Sequence, residues 1–542
     1  MSIAYNNRIT LIQFVQSGQK SNSAVSARYL SGILRSHGYK VTIASIELSK
    51  KQGSNLSWDF GYYDLSDNAI KNLFEISQGS LFVGFTVYSF VAHIVKKVYT
   101  SEFNNLEKTP FVVGGPHSTI DPYNSSFFSD YVCVGDGEKA IVELAQRLSQ
   151  GGISTPSDFS LPVVENVFSS AALRQSNDRH IFYGKESPVD SQSFPDYSHE
   201  SEYYISELYS ERITKENVSK YIDTYTTFFS RGCVNNCSFC VHETLGKRSG
   251  FKKKVKSKEL PHFVEELKTI RSNYPWVDGV VFYDSNILSN RRASLEALLN
   301  EYRSSVKLPL SVTGFTINQI NEEIFRNFLT AGMNRVSFGI ESGSEKTREL
   351  YNRRESKDQM LKIDELIQRL KRDFIFHVQY DVIVDSPWEN PDDALESLLF
   401  ISQLKGYDYL DIFSLRLLPG TKLFQKALDE DILKREDVDK ENQRVYRSMD
   451  RTYENFLFLL MRDNFLRAGW LFRIAVWYRV VIIMRIFFRW CGKGIFRIYA
   501  LRIVSEFVVF RRRMNTVWLL LRREGVKKTL NILKDTLWRK RP

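Results

Sequence analysis

The segment Arg231-Gly-Cys-Val-Asn-Asn-Cys-Ser-Phe-Cys240 constrains this chain more than any other, because it spaces three cysteines as C-x3-C-x2-C directly after an apolar, strand-like stretch, Thr224 to Ser230. Three thiolates leave one corner of a four-ligand centre open. Electron-transfer clusters are closed by four cysteines, whereas metal sites that do chemistry keep a position for another molecule. Cys233, Cys237 and Cys240 therefore predict a 4Fe-4S cluster whose fourth iron can bind a ligand. His242 offers the alternative, a Cys3His zinc site, although zinc ligands usually come as two separated pairs. The other cysteines, Cys133 and Cys491, lie far apart, so no disulfide framework is indicated and a reducing, cytoplasmic compartment is expected.

With 542 residues the chain has room for about three or four domains, and 43% hydrophobic content reads as globular. Its start, MSIAYNNRITLIQF, carries a strand-like run and no small-residue cleavage site, so no signal peptide is expected. Apolar runs at 8–15, 40–47, 81–89, 111–114 and 131–135 alternate with helix-compatible segments at 24–36, 68–76, 92–100 and 138–148. That alternation predicts an α/β, Rossmann-like doubly wound domain over 1–150, with ligands bound at the carboxyl ends of its strands. Those ends read Ser17-Gly18, Ser89-Phe90, Gly114-Gly115-Pro116-His117-Ser118 and Gly135-Asp136-Gly137-Glu138. Glycines there let backbone approach a flat or phosphate-bearing ligand, and they equally suit tight turns with nothing bound.

Residues 151–222, rich in Ser, Pro and Asp and then charged, read as a linker, with Phe194-Pro195-Asp196-Tyr197 along the surface. A second alternation covers 223–430. Its candidate strands are 224–230, 279–283, 309–313, 335–339, 377–384 and 409–415, a (β/α)6 pattern that predicts an incomplete barrel. In barrels the chemistry sits at the carboxyl ends of strands. The cysteine loop follows the first strand, and Asp284, Ser285 and Asn286, Glu341 and Ser342, and Asp385 and Ser386 follow others.

The cysteine spacing resembles that of the radical S-adenosylmethionine (SAM) enzymes. The resemblance implies a 4Fe-4S cluster on Cys233, Cys237 and Cys240, with Phe239 beside the cofactor. It also implies SAM chelated by the open iron and cleaved to a 5′-deoxyadenosyl radical. Ser337-Phe-Gly-Ile-Glu341-Ser342-Gly343-Ser344 resembles the family segment that contacts the amino acid and ribose of SAM, and a carboxylate suits ammonium or hydroxyl groups. A helix N-cap at Ser342 or Ser344 is the structural alternative. Tyr380-Asp-Val-Ile-Val-Asp-Ser-Pro-Trp-Glu389 and Phe413-Ser-Leu-Arg-Leu-Leu-Pro-Gly-Thr421 look like cobalamin-dependent members. Asp385 reads there either as a rim carboxylate for substrate or cofactor or as a structural cap, and Asp284 and Ser285 as cofactor contacts.

The string VVGGPHST followed by DYVCVGDGEKAIVEL looks like the cobalamin-binding domain upstream of the barrel in this class. By that resemblance Ser17, Gly18, Ser89, Gly114, Gly115, Pro116, His117, Gly135, Gly137 and Glu138 are candidate cobalamin contacts. The DxHxxG loop that supplies a histidine to cobalt elsewhere is absent, Gln16-Ser-Gly-Gln-Lys20 standing in its place. The corrinoid is thus expected without a histidine beneath it, and His117 is expected to shape its loop. The resemblance covers roughly residues 75–430.

The net charge is +11, concentrated at the end of the chain. From Arg451 to Pro542 there are 21 Lys and Arg against 5 Asp and Glu, a local +16 that leaves the remainder near −5. Region 431–542 reads as a basic, aromatic-rich helical extension. Charges break every apolar stretch before the roughly 18 residues a spanning helix needs. Arg485, Arg489, Lys493 and Arg497 share one stripe beside Ile483, Ile486, Phe487, Trp490 and Ile495, which suits an anionic membrane surface on the inner face of the membrane. A cap packed on the barrel is the alternative, and nucleic acid is disfavoured. With both cofactors implied, the family resemblance implies methyl transfer from cobalamin to an unactivated carbon, with a flavodoxin or ferredoxin as reductant, and the composition of the tail suits a small-molecule or lipid-like substrate. Radical cyclisation or rearrangement, and a non-catalytic Fe-S or corrinoid carrier, remain open alternatives.

Overall fold

The structure is a computed structural model. It describes residues 7–16, 20, 25–51, 62–102, 104, 109–151, 162–175, 182–186, 193–252, 254–434, 438, 449–450, 452–462, 476 and 478–490. Ser17, Gly18 and everything after Trp490 lie outside the described residues.

The N-terminal sheet has nine strands: β1 (Arg8–Gln16), β2 (Lys40–Lys51), β3 (Tyr62–Asp64), β4 (Val83–Thr86), β5 (Phe111–Gly114), β6 (Tyr131–Cys133), β7 (Val167–Ser169), β8 (Glu202–Ile205) and β9 (Ser210–Arg212). Their order is β7-β6-β5-β4-β1-β2-β8-β9, with β3 beside β2. From β6 to β8 neighbours run parallel. Helix α1 (Val25–Ser36) crosses from β1 to β2, after which the chain returns to lay β4 on the other side of β1. The gap between β1 and β4 is thus the topological switch point, where open α/β sheets bind ligands.

The segment expected as a linker is part of this domain. β7 pairs antiparallel with β6, and β8 continues the sheet beyond β2. Asp196 and Tyr197 are buried rather than on the surface. Arg28 on α1 explains this: its guanidinium is fully buried, bonds Glu202 at 2.8 Å and the Asp196 carbonyl at 2.9 Å, and lies 4.2 Å from the centre of the Tyr197 ring. A buried arginine must find carboxylate and carbonyl partners, so it recruits the polar stretch 194–202 onto α1. Gly32 leaves room for the Phe194 carbonyl, which a Cβ would meet at 2.0 Å.

The second sheet has six parallel strands in simple sequence order: β10 (Thr224–Thr227), then β13 (Gly279–Phe282), β14 (Leu310–Phe315), β15 (Met333–Glu341), β16 (His377–Val384) and β17 (Tyr409–Ser414). Between the first two lies a small antiparallel hairpin of β11 (Ser230–Gly232) and β12 (Val255–Ser257). β10 and β17 do not pair, so the barrel stays open, as the six-strand pattern predicts. Along β16 fully buried residues alternate with partly exposed ones, one set against the helices and the other facing the lumen.

The start of the C-terminal region packs on this barrel. Helix α2 (Tyr453–Arg462) and Val481 of helix α3 (Tyr478–Trp490) join the barrel's own hydrophobic core. Arg485, expected in an outward cationic stripe, bonds Glu454 at 2.6 Å and Asp392 at 3.0 Å. Ile482, Ile483 and Ile486 are the residues left exposed, whereas Arg489, Lys493 and Arg497 have no described side chains. Among the described residues no helix is long and apolar enough to cross a membrane.

Candidate functional site

The cysteine loop leaves β11 through Gly232, whose φ of +95° and 2.1 Å clearance from the Lys254 carbonyl exclude a side chain. Its far end is stapled to the barrel. Ser238 receives the amide of Leu423 on its carbonyl, gives its own amide to Tyr351 at 3.1 Å, and gives its hydroxyl to the Leu350 carbonyl. Asn352 donates to the backbone and side chain of Asn236. Burial pushes the Cys240 thiol up to about 12 and raises that of Cys237, and the neighbouring thiols of the loop add a smaller push in the same direction. Such thiols stay protonated until a cation takes the proton's place, which is the chemistry of a metal-cluster ligand.

Among the described residues no three His, Cys, Asp or Glu side chains close on one point as ligands of a single ion would. His242, the fourth ligand of the zinc alternative, lies with Nδ1 3.2 Å from the hydroxyl of Ser285, the partner the structure gives that predicted contact.

Arg353 is a residue the sequence reading missed. Its Nη1 lies 3.7 Å from Cys237 Sγ, Nη2 donates to the Gly339 carbonyl at 2.6 Å, and it pairs with Glu355 at 3.1 Å and Glu341 at 3.8 Å. A buried guanidinium against a thiol favours the thiolate and offsets charge on whatever the thiolate binds. Glu341 reaches it through an irregularity: the β15–β16 register shifts between Gly339 and Glu341, and Glu341 has φ +63°. A side chain at Gly339 would sit 2.2 Å from the Glu341 carboxylate. This bulge re-aims Glu341 from the sheet toward the cysteine loop. Burial raises its pKa against the opposing pull of Arg353.

The other predicted barrel residues divide. Asp284 is buried and spends both oxygens on the loop's approach, accepting from the amides of Phe229 and Ser230 and from the Ser230 hydroxyl. Burial outweighs those bonds and lifts its carboxyl to about 6. It shapes the strand before the cysteines. Ser342 is buried against Ser397 Oγ at 2.8 Å, and Phe239 packs edge-on against Tyr351. Asp385, with φ +61°, accepts from Asn455 and from the amide of Asp450, tying the segment before α2 to the rim beside a cavity of about 320 Å³.

A larger cavity of about 1170 Å³ lies between the two sheets. One wall is Gly114, Gly115, Gly135, Gly137 and Glu138 of the predicted set, together with Tyr88 and Phe90 at the switch point. The other is Phe228, Arg231, Val281, Tyr283, Arg335 and Arg416 of the barrel. Gly115 has φ +96°, and a Cβ there would stand 3.2 Å from the Val87 amide. Among the described residues, the predicted contacts Ser89, Pro116 and His117 do not line it. His117 is 3% exposed, with Nδ1 3.2 Å from Ser89 Oγ and Nε2 3.1 Å from Asn124 Oδ1, so both nitrogens are occupied within the domain. Pro116 opens the helical segment Pro116–Ile120. The described lining thus presents backbone, aromatic rings and cations to the cavity.

Comparison with known proteins follows this geometry. Residues 227–401, from the end of β10 past β16, match the Radical SAM superfamily. An uncharacterised methyltransferase of Pyrococcus horikoshii is 23% identical over 61% of the chain, and the match spans 65% of that relative. The bacteriochlorophyllide d C-8(2)-methyltransferase of Chlorobaculum tepidum is 24% identical over 66% of the chain and 70% of its own length. Among solved structures, the radical SAM methyltransferase TsrM of Kitasatospora setae, seen with cobalamin and a [4Fe-4S] cluster, superimposes with a TM-score of 0.54 at 17% identity over 78% of each chain. The cobalamin-dependent SAM radical enzyme OxsB, with aqua-cobalamin, gives 0.54 at 13% identity over 98% of this chain and 75% of its own. At such identities the likeness establishes a shared two-part fold. The part of the chain that carries the three cysteines, residues 227–401, thus has the sequence signature of the radical SAM superfamily.

Proposed function

We propose that this protein is a cobalamin-dependent radical SAM methyltransferase that methylates an unactivated carbon. When bound, the cluster and SAM would supply a 5′-deoxyadenosyl radical, and the corrinoid a transferable methyl group. The chain's own part is positional. Cys233, Cys237 and Cys240 would hold the cluster, Arg353 would balance charge beside Cys237, and Glu341 offers a buried carboxylate to an ammonium or hydroxyl. The observation that carries the reading is the cavity between the sheets, whose glycine wall and barrel wall would keep a flat macrocycle and a barrel-bound substrate in one space shielded from water. The methyltransferase names of both curated relatives support the reaction class.

The reading extends to a lipid-like substrate, to a flavodoxin or ferredoxin as reductant, and to a cytoplasmic protein docked on anionic membrane. The outward isoleucines of α3 and the +16 balance of residues 451–542 support the docking. Full-length protein reconstituted anaerobically with iron, sulfide and hydroxocobalamin should form 5′-deoxyadenosine and S-adenosylhomocysteine in a reductant-dependent way when given cell lipid extract. SAM labelled at its methyl group should label a product in that extract. Deoxyadenosine without methyl incorporation would point to cyclisation or rearrangement, and neither product with an intact cluster to a carrier.

A further inference from the structure

The β11–β12 hairpin sets Arg231 directly opposite Lys256. Like charges at facing positions repel, and each of these is largely withdrawn from water. What reconciles them comes from the other domain. Asp136, in the turn after β6, meets Arg231 Nη1 at 3.2 Å with one oxygen and Lys256 Nζ at 2.7 Å with the other. Glu138, two residues on, pairs with Arg231 Nη2. Glu186 reaches Lys256 at 4.0 Å, while Phe228 and Phe251 cover the two cations. The side chains of Asp136 and Lys256 are only 7% and 9% exposed, so breaking the group would strand buried charge.

Two adjacencies give the cluster of charges a role. Arg231 stands two residues before Cys233 on the strand that launches the cysteine loop. Gly135, Asp136, Gly137, Glu138 and Arg231 also line the interdomain cavity. An occupant of that cavity rests on the turn that holds the hairpin.

We infer that Arg231 and Lys256 form a latch coupling occupancy of the interdomain cavity to the geometry of the cysteine loop, with Arg231 as the positioning residue. The inference rests on the corrinoid reading above. Because coupling is reciprocal, the cluster must change corrinoid affinity by the factor with which the corrinoid stabilises the cluster-bearing loop.

The test is the dissociation constant of hydroxocobalamin for the full chain, measured with and without the reconstituted cluster. The wild type should show a ratio of about 5 or more, the lower end of usual coupling. Arg231→Gln should bring that ratio close to one whatever its absolute affinity for hydroxocobalamin, and Arg231→Lys should restore part of it. Asp136→Asn attacks the latch from the opposite domain and should give the same collapse. It decides the matter if Arg231→Gln fails to load a cluster. A wild-type ratio of one, or an unchanged ratio in Asp136→Asn, would overturn the coupling and leave the corrinoid reading standing. Absence of hydroxocobalamin binding to the wild type would overturn both.

Discussion

The two sheets of this protein are built by the same rules and present their ligand surfaces in opposite currencies. Both have a parallel core, and both expose chemistry at the carboxyl ends of those strands. At the barrel the surface is made of side chains: three thiols, Arg353 and Glu341, held by Asp284, Ser238 and Asn352. At the N-terminal sheet the wall is backbone, with glycines at 114, 115, 135 and 137, and the polar side chains nearby are spent on the domain itself, as Ser89 and His117 show. A cluster needs named ligand atoms and tolerates little substitution. A broad macrocycle needs area and close approach, so the side chains there serve by being absent.

The largest effect expected from this difference is at the thiols. Changing any one of Cys233, Cys237 or Cys240 to Ala should lower reductant-dependent 5′-deoxyadenosine formation by about 10³-fold or more, since residues acting as a unit fail as a unit. Hydroxocobalamin binding should survive, apart from the latch coupling. A cysteine variant that keeps cleaving SAM would erase the contrast at its root.

Next is Arg353→Gln. A group contacting a metal ligand typically costs 10–100-fold in metal affinity or activity. Iron content per chain and deoxyadenosine rate after reconstitution read this directly, and wild-type values for both would leave Arg353 only a packing role.

Gly115→Val probes the other wall. It forces a β-branched residue to φ +96° with its Cβ against Thr86 and the Val87 backbone, a strain of about 1–3 kcal/mol that displaces the turn lining the cavity. Because the displaced turn then meets the ligand less closely, hydroxocobalamin affinity should fall by roughly tenfold, about 1.4 kcal/mol. Cluster content should not change. Loss of the cluster with intact corrinoid binding would mean the two surfaces had been assigned the wrong way round.

How much of this was legible in the sequence follows the same division. The cysteine spacing, six barrel strands and five parallel strands of the first sheet could be read because their signals are local. The glycine turns were also visible, and four of those glycines line the cavity. What failed depended on partners distant in sequence. Arg353 meets Cys237 across 116 positions, and no local pattern marks it. Residues 194–202 look like a linker because Asp196 and Glu202 are polar. Only Arg28, some 170 positions earlier, makes them interior residues. Ser89, a candidate contact, is turned instead to His117, which shapes its loop as expected through Ser89 and Asn124. Arg485 was assigned outward by helical spacing alone, whereas the acidic partners on α2 and at Asp392 turn it inward.

The smallest effect sharpens the comparison inside the barrel lumen. Asp381 lies on the lumen face of β16, where burial, with a smaller push from Glu341 and Asp411, raises its carboxyl to about 7. The folded protein therefore holds that proton more tightly than the unfolded chain does. The sign follows: its contribution to stability falls as pH rises from about 4 to about 7 and is flat above. Asp381→Asn removes the titration, so the thermal midpoint of the variant should gain on the wild type across that window. The slope stays below about 1.4 kcal/mol per pH unit because the group is partly exposed. Parallel midpoints at every pH would show that the lumen is wetter than its geometry suggests.

The central claim is that one iron of a cluster on Cys233, Cys237 and Cys240 remains open to SAM. The electron paramagnetic resonance spectrum of the reduced, reconstituted full chain before and after adding SAM tests it most directly. The account predicts a 4Fe-4S signal whose g values change when SAM is added. A signal that SAM leaves unaltered, or zinc in place of iron in protein isolated without oxygen, would contradict it.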